Sequence, residues 1–547
     1  MSLVQVCIVF LLGTYHIEQT GANHGKDGNN VVNLPSIPAA PTPHHTINKL
    51  LKLMESCAVK EEQQQRSLQL MSLTTNVTCN DGSPAGYYFR RSSSSKHWII
   101  FLEGGWYCYD QRSCHLRWLR MRHLMSSHQW PHVRHVGGIL SSDPEENPHW
   151  WNANHVFVPY CTSDSWSGQS HVKPDSKFSF QGALIVDQVV RDLLSMGLEN
   201  GSSLLLAGSS AGGTGVMLNL EFVQRIVKAR QPHISVYGVS DSGWFLDRTP
   251  FLDRTDVSHV PDVPADGVKR GYGMWRGRVP HSCKKHYPSE PWRCYFGYRL
   301  YPTLTAPLFV FQWLFDEAQM TADNVGTPVT KQQWDYIHKM GDSLRHTFRN
   351  VKSVFAPSCI SHSVLTKRDW RLLQIDDVSL PQALHCWEQH TLYAMQKAVN
   401  ENSTSMLSDA PLRLHRKESR KQLKSNHHNS TIPTEQRKRR RRKNRNRIRG
   451  KKRRDKKRIR ERAERSPKLR EPTCVHRFIE RCSWPQCNHS CPKLHNPFTG
   501  EEMDFIELLK SFGLDMMSVA NALGIDIHTL NNMDHEELLN LLTQQAN

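Results

Sequence analysis

The apolar run Ser203-Leu204-Leu205-Leu206-Ala207 leads without a break into Gly208-Ser209-Ser210-Ala211-Gly212, and a helical pattern follows from about Thr214 to Ala229. A short run of this kind reads as a buried strand. A strand that turns at once into a helix through Gly-x-Ser-x-Gly is the context in which that motif holds a nucleophilic serine. The turn is sharp, so neighbouring backbone crowds the positions beside the serine and side chains there would clash. The helix N-terminus behind the serine stabilises negative charge that develops nearby. These constraints single out Ser210, rather than Ser209, as the nucleophile. A glycine-rich structural turn or a phosphate cradle is the competing use of the same pattern.

Further apolar runs bounded by Gly, Asn and Asp occupy His97 to Leu102, His155 to Tyr160, Ile234 to Val239, Leu308 to Phe315 and Val351 to Ala356. Helical patterns such as Gly182 to Leu194 lie between them. Strands alternating with helices predict an α/β fold of the α/β-hydrolase type, with a mostly parallel central sheet flanked by helices. A nucleophile in this fold needs donors for an oxyanion. One is the N–H of the residue after the serine, Ala211; the others come from the loop after an earlier strand. The His97 to Leu102 strand ends in Glu103-Gly104-Gly105-Trp106, where paired glycines let backbone N–H groups approach a substrate oxygen. Acid and histidine follow the serine in chain order. Asp316, directly after the Leu308 to Phe315 strand, and His362, shortly after Val351 to Ala356, fall where expected. Asp241 is the alternative acid, and His385 the alternative base in a chain with 30 histidines.

Charge and cysteine place this domain in its surroundings. The formal net charge is +19. Arg437 to Arg470 holds 22 Lys or Arg against three acids, so the remainder is balanced, and residues 401–472 read as a disordered polybasic insert. Residues 1–22 read as a signal peptide, with an apolar run from Leu3 to Leu12 and the small-residue site Thr20-Gly21-Ala22. Residues 23–48 read as a disordered tail, 49–400 as the catalytic domain and 473–547 as its cysteine-rich, helical C-terminal part. No other segment approaches the ~20 apolar residues of a membrane span. The 14 cysteines suit an oxidising compartment. Removing Cys7 with the leader leaves an odd count, for which Cys57 is the candidate unpaired thiol. Cys474, Cys482, Cys487 and Cys491 lie close together with His476 and His489. Zinc is conceivable there, but the spacing lacks a paired C-x₂-C and favours disulfides. No metal or cofactor is expected. Asn76, Asn200, Asn402, Asn429 and Asn488 begin glycosylation sequons.

The segments CNDGSPAGYYF, FLEGGWYCYD, DPEENPHWWNANHVFVPYC, LLLAGSSAGGTG, SDSGWFLD, FQWLFDEAQMTADNV, FAPSCISH and CSWPQCNHSCP together resemble the pectin acetylesterase family and, within it, the secreted Notum carboxylesterases. The resemblance runs from about Cys79 to Cys491, outside the basic insert. It implies an enzyme that removes palmitoleate from the acylated serine of Wnt proteins and so restrains Wnt signalling. It also implies the triad Ser210, Asp316 and His362, and an oxyanion hole of Gly105, Trp106 and Ala211. The acyl pocket it implies is lined by Trp106, Tyr107, Phe245, Tyr295, Phe296, Ala318 and Ala322. Tyr295 stands where the family more often has Phe, so its hydroxyl must face out or find a partner; Ala322 stands where a larger aliphatic is usual. The family resembles binders of heparan sulfate proteoglycans such as glypicans, and the insert suits that partner better than nucleic acid. Arg437-Lys438-Arg439-Arg440 also fits a convertase cleavage site. A polysaccharide acetylesterase and a non-catalytic, glycan-bound protein that sequesters lipidated ligands are the alternative functions.

Overall fold

In the computed structural model the described residues are 66–171, 177–252, 264–325, 330–409, 474–482, 485–495, 502–503 and 516–533. The expected leader, the tail, Cys7, Cys57, Asn429 and Arg437 to Arg470 lie outside them. Packing divides the chain into two units, Met1–Leu384 with His476–Asn547, and His385–Val475.

The first unit is organised by a ten-stranded sheet. In chain order its strands are β1 (Leu68–Ser72), β2 (Gly86–Arg90), β3 (His97–Leu102), β4 (Val133–Arg134), β5 (Asn154–Val158), β6 (Ser203–Ser209), β7 (Ser235–Asp241), β8 (Leu308–Phe311), β10 (Val354–Ala356) and β14 (Arg477–Ile479). Short pairs lie outside it: β9 (Phe315–Asp316) with β11 (Ile360–Ser361), and β12 (Gln374–Ile375) with β13 (Val378–Ser379). The spatial order is β14-β10-β8-β7-β6-β3-β5-β2-β1-β4. Pairing is parallel from β14 through β5 and antiparallel from β5 through β2 and β1 to β4. The parallel strands β3, β5, β6, β7, β8 and β10 were legible because strands covered on both faces are apolar throughout; β14, which begins with the exposed Arg477, was not. Nor was the antiparallel edge. Its first strand, Leu68–Ser72, lies outside the apolar runs that mark the parallel strands, and β4 is only two residues long.

The helices that matter for the site are α1 (Gln111–Arg120), α2 (Gly182–Ser195), α3 (Ala211–Arg230), α4 (Pro264–Trp275), α5 (Glu317–Ala322), α6 (Lys331–Thr347) and α7 (Leu380–Asp409). Helix α3 packs on β6 and β7 and against α2. It buries Val216, Leu220, Val223 and Val227, the spacing of one helical face. Each such side chain contributes on the order of 1.5–3 kcal/mol by leaving water. This anchors the helix that begins directly after Ser210.

The described cysteines form six disulfides: Cys79–Cys161, Cys108–Cys114, Cys283–Cys294, Cys359–Cys491, Cys386–Cys474 and Cys482–Cys487. The C-terminal four are therefore covalently committed and offer no thiolates to zinc. The same holds for Cys386 and Cys474, which sit with His390 in a ligand-like group. Sequon residues Asn76 and Asn200 are exposed. Asn488 is half-buried, and its amide nitrogen donates to Gln374 O at 2.7 Å and to a Glu480 carboxylate oxygen at 2.6 Å, bonds that a glycan on it would disturb.

Two disulfides, Cys359–Cys491 and Cys386–Cys474, close loops that contain Arg437 to Arg470. Cleavage within that basic stretch is expected to leave one disulfide-linked species on a non-reducing gel that separates into two chains on reduction. Separation without reductant would contradict this pairing.

Candidate active site

Strand β6 delivers Ser210 as the residue before α3, at φ 58° and ψ −123°. A non-glycine residue rarely adopts a positive φ, and its cost must be met by the surroundings. Here they are tight. A Cβ on Gly212 would lie 2.0 Å from Leu102 O, and one on Gly208 would lie 2.5 Å from Gly212 O. Only glycine lets α3 start this close to β3. The Ser210 N–H donates to Asp241 O at 2.8 Å, and the residue is 8% exposed.

Asp316 ends β9 and caps α5, accepting from the N–H groups of Ala318 at 2.9 Å and Gln319 at 3.1 Å. Gln312 Nε2 donates to its other oxygen at 3.0 Å. The carboxylate is wholly buried, and it faces His362 Nδ1 at 2.9 and 3.0 Å. What brings them together is the two-residue parallel ladder β9/β11, in which Asp316 is opposite Ser361, the neighbour of His362. Burial of the His362 ring disfavours its charged form. The Asp316 carboxylate, with Asp241 and Glu317 behind it, outweighs that and raises the imidazole pKa above its ordinary value.

Asp241, the alternative acid, has another place. Its carboxylate accepts from the Ser209 hydroxyl, from Ser242 Oγ at 2.7 Å, and from the N–H groups of Val364 at 2.9 Å and Leu365 at 3.0 Å. It ties the residue before the nucleophile to the loop after the histidine. His385 lies in the second unit, on α7, bonded to Gln389 at 3.2 Å.

Ser210 and His362 line one cleft with Gly104, Gly105, Trp106, Arg134 to Gly137 and Ala318. Gly105 adopts φ 143° and Trp106 φ 58°. A Cβ on Gly104 would come within 2.6 Å of Ser209 O, so the glycine turn presses directly on the elbow. The Ala211 N–H belongs to the first turn of α3, where backbone donors have no intrahelical acceptor. Beside the cleft, Trp106 also lines a second, mainly apolar cavity with Tyr107, Ala211, Phe245, Leu246, Val268, Tyr295, Phe296, Gln319 and Ala322. Trp106 stacks on Tyr107 at 4.7 Å between centroids and meets Phe245 edge-on at 5.7 Å.

Of the seven residues expected in an acyl pocket, this cavity gathers six. Ala318 is the correction. It stands in the first turn of α5 and lines the catalytic cleft instead, while Ala322, one turn on, reaches the cavity. The Tyr295 hydroxyl finds a buried partner, donating to Ser167 Oγ at 2.5 Å. Sequence reasoning passed over Gln312, although a polar residue inside the run Leu308 to Phe315 marks where β8 ends and the backbone leaves the sheet. It also passed over Gln319, Leu246, Val268 and the Arg134 to Gly137 wall, for which no local pattern existed.

The pectinacetylesterase family model matches residues 59–405. The chain belongs to the pectinacetylesterase family. Among its relatives, palmitoleoyl-protein carboxylesterase NOTUM of Drosophila melanogaster is 44% identical, over 88% of this chain and 87% of the relative. The NOTUM of Mus musculus is 40% identical over 88% and 82%. The solved structure of the Wnt deacylase Notum from Drosophila superposes with a TM-score of 0.61 at 46% identity, covering 78% of this chain and all of that one. The family and its esterase chemistry agree with the elbow, acid and histidine assembled here.

The histidine must be neutral to accept a proton, and its pKa is raised. Activity is therefore expected to fall on the acid side with an apparent pKa above that of free imidazole. Asp316→Asn should lower kcat by roughly 10³- to 10⁴-fold and move the residual acid limb to lower pH. An unmoved limb in the pH profile of kcat/KM would remove Asp316 from this role.

Proposed function

We propose that the protein is a carboxylesterase that removes palmitoleate from the acylated serine of Wnt proteins, with Ser210 as nucleophile. The observation that carries this reading is the adjacency of the two cavities. The cleft holding Ser210 and His362 shares Trp106 with a cavity walled by aromatic and aliphatic side chains. An unbranched acyl chain gains roughly 0.8 kcal/mol for each CH₂ buried in such a place. An acetyl ester has no chain to put there, so the cavity favours a long-chain ester over a polysaccharide acetate.

The chemistry follows from the placement of the groups. With the chain in the apolar cavity, the ester carbonyl lies at the mouth, over Ser210. His362 takes the Ser210 proton as Oγ attacks, and Asp316 holds the imidazole with Nδ1 protonated and steadies the imidazolium. The N–H groups of Trp106 and Ala211, with the Gly105 turn, receive the oxyanion. His362 returns the proton to the leaving serine hydroxyl of the substrate, and water then releases the fatty acid from Ser210 by the same steps. The reaction needs no cofactor. The relatives bear names that state this substrate, palmitoleoyl-protein and Wnt.

Secretion is the setting we propose. Six disulfides favour an oxidising compartment, and no helix among the described residues is long and apolar enough to cross a membrane. In that setting the basic stretch Arg437 to Arg470 would meet sulfated glycans such as the heparan sulfate of glypicans rather than nucleic acid.

Two experiments test the reading. Mass spectrometry of a palmitoleoylated Wnt peptide should show loss of the acyl group with the wild-type protein and none with Ser210→Ala. Equal masses after both would leave a non-catalytic binder of lipidated ligands, and a preference for acetyl over long-chain esters would favour the polysaccharide esterase. Deletion of Arg437 to Arg470 should make the protein leave heparin at lower salt while peptide hydrolysis is unchanged. Undiminished retention would refute the glycan assignment.

A further inference from the structure

We propose that Arg117 is a positioning residue for the oxyanion hole, acting through the peptide that joins Gly105 to Trp106; this rests on the reading of the Trp106 N–H as an oxyanion donor. Arg117 Nη2 donates to Gly105 O at 2.6 Å. That oxygen and the Trp106 N–H belong to one planar trans peptide, in which C=O and N–H point in opposite directions. Fixing the oxygen on the side of α1 therefore aims the N–H the other way. An accepted bond at the oxygen also polarises the peptide and strengthens the N–H as a donor.

The restraint is needed because the turn would not hold itself. Gly105 and Trp106 both have positive φ, and for the tryptophan this is an unfavourable conformation. The restraint is also built deeply. Helix α1 buries Cys114 and Arg117, one turn apart on a single face. Cys114 is bonded to Cys108, two residues after Trp106, so loop and helix are joined covalently. The Cys108 N–H donates to Ser163 O at 3.1 Å. Arg117 Nε donates to Ser163 Oγ at 2.8 Å, and Ser163 Oγ donates to Asn80 Oδ1 at 2.7 Å. Asn80 is in turn fixed by the carbonyls of Thr162 and Ser179.

The charge of Arg117 points to chemistry as well. The side chain is 6% exposed, and none of its partners among the described residues is a carboxylate. Burying a guanidinium without a counter-charge is costly. Its field is spent on a neutral carbonyl at the back of the site where an oxyanion forms. A packing role alone would be met by an apolar side chain; a positively charged group behind an oxyanion donor stabilises the transition state more than the neutral ester.

The test compares Arg117→Met and Arg117→Lys with wild type and with Ser210→Ala. On a palmitoleoylated peptide, Arg117→Met is expected to lower kcat by about 10- to 100-fold, less than outright loss of an oxyanion donor. Affinity for a trifluoromethyl ketone with a sixteen-carbon chain, which forms a tetrahedral adduct on the serine, should weaken by the same factor. Binding of the intact acylated peptide, measured with Arg117→Met placed on the Ser210→Ala background, should stay within about twofold of Ser210→Ala alone. Arg117→Lys, which keeps the charge, should recover part of the rate. The proposal is overturned if kcat stays within twofold of wild type in the variants that fold, or if ground-state binding weakens as much as turnover. Should Arg117→Met fail to fold, Arg117→Lys carries the same comparison, since lysine offers one nitrogen in place of the separate Nε and Nη2 that hold Ser163 and Gly105. Turnover by Ser210→Ala would instead overturn the nucleophile assignment on which this rests.

Discussion

The parallel pairing of β3 with β6, in the register that sets Leu102 opposite Gly208, is the constraint from which the site follows. It ends two strands side by side, so that the chain leaving β3 and the chain leaving β6 must turn in the same small space. The space is so small that a Cβ on Gly212 would collide with the Leu102 carbonyl and one on Gly104 with the Ser209 carbonyl. Side chains are excluded at both places, and what remains at the surface of the contact is backbone N–H and one hydroxyl. The placement of Ser210 beside the Gly104-Gly105-Trp106 turn is the direct result of packing two glycine turns together.

Around that contact, buried carboxylates act as structural fasteners in different ways. Asp316 is held by the first turn of α5 and by Gln312, and these neutral donors aim it at His362. Asp241 spends its lone pairs on Ser209, Ser242 and the backbone after His362. The first carboxylate orients the imidazole. The second keeps the serine turn and the histidine loop from drifting apart, and its charge adds to that of Asp316 in favouring the protonated ring. Each is surrounded by hydrogen-bond donors, as a buried polar group requires.

The apolar cavity is built on the far side of the same glycine turn. Trp106 lines both cavities, and its ring stacks on Tyr107 in the wall of the second. In the proposed reaction this shared residue links the place for the acyl chain to the cleft that holds Ser210. Tyr295 shows how a polar atom is tolerated in such a wall, since its hydroxyl turns outward from the cavity's apolar character to Ser167.

Read by itself, the sequence marked Ser210 as the candidate nucleophile, most of the parallel strands, and the order in which Ser210, Asp316 and His362 follow those strands. Each of these is written locally: a strand buried on both faces is apolar at every position, and a sharp turn against a neighbouring strand demands glycine within a few residues. Choosing Asp316 over Asp241, and His362 over His385, took the resemblance to a family, because both pairs satisfy the same local rule. Tertiary structure decided the rest. The ladder of β9 with β11 is too short to leave a pattern, and the bond from Arg117 to Gly105 joins a charged residue to a backbone atom that no side chain announces. Ala318 and Ala322 are one helical turn apart, yet they line different cavities. Distances between segments far apart in the chain are set by how the whole core packs, and composition and periodicity carry no record of them.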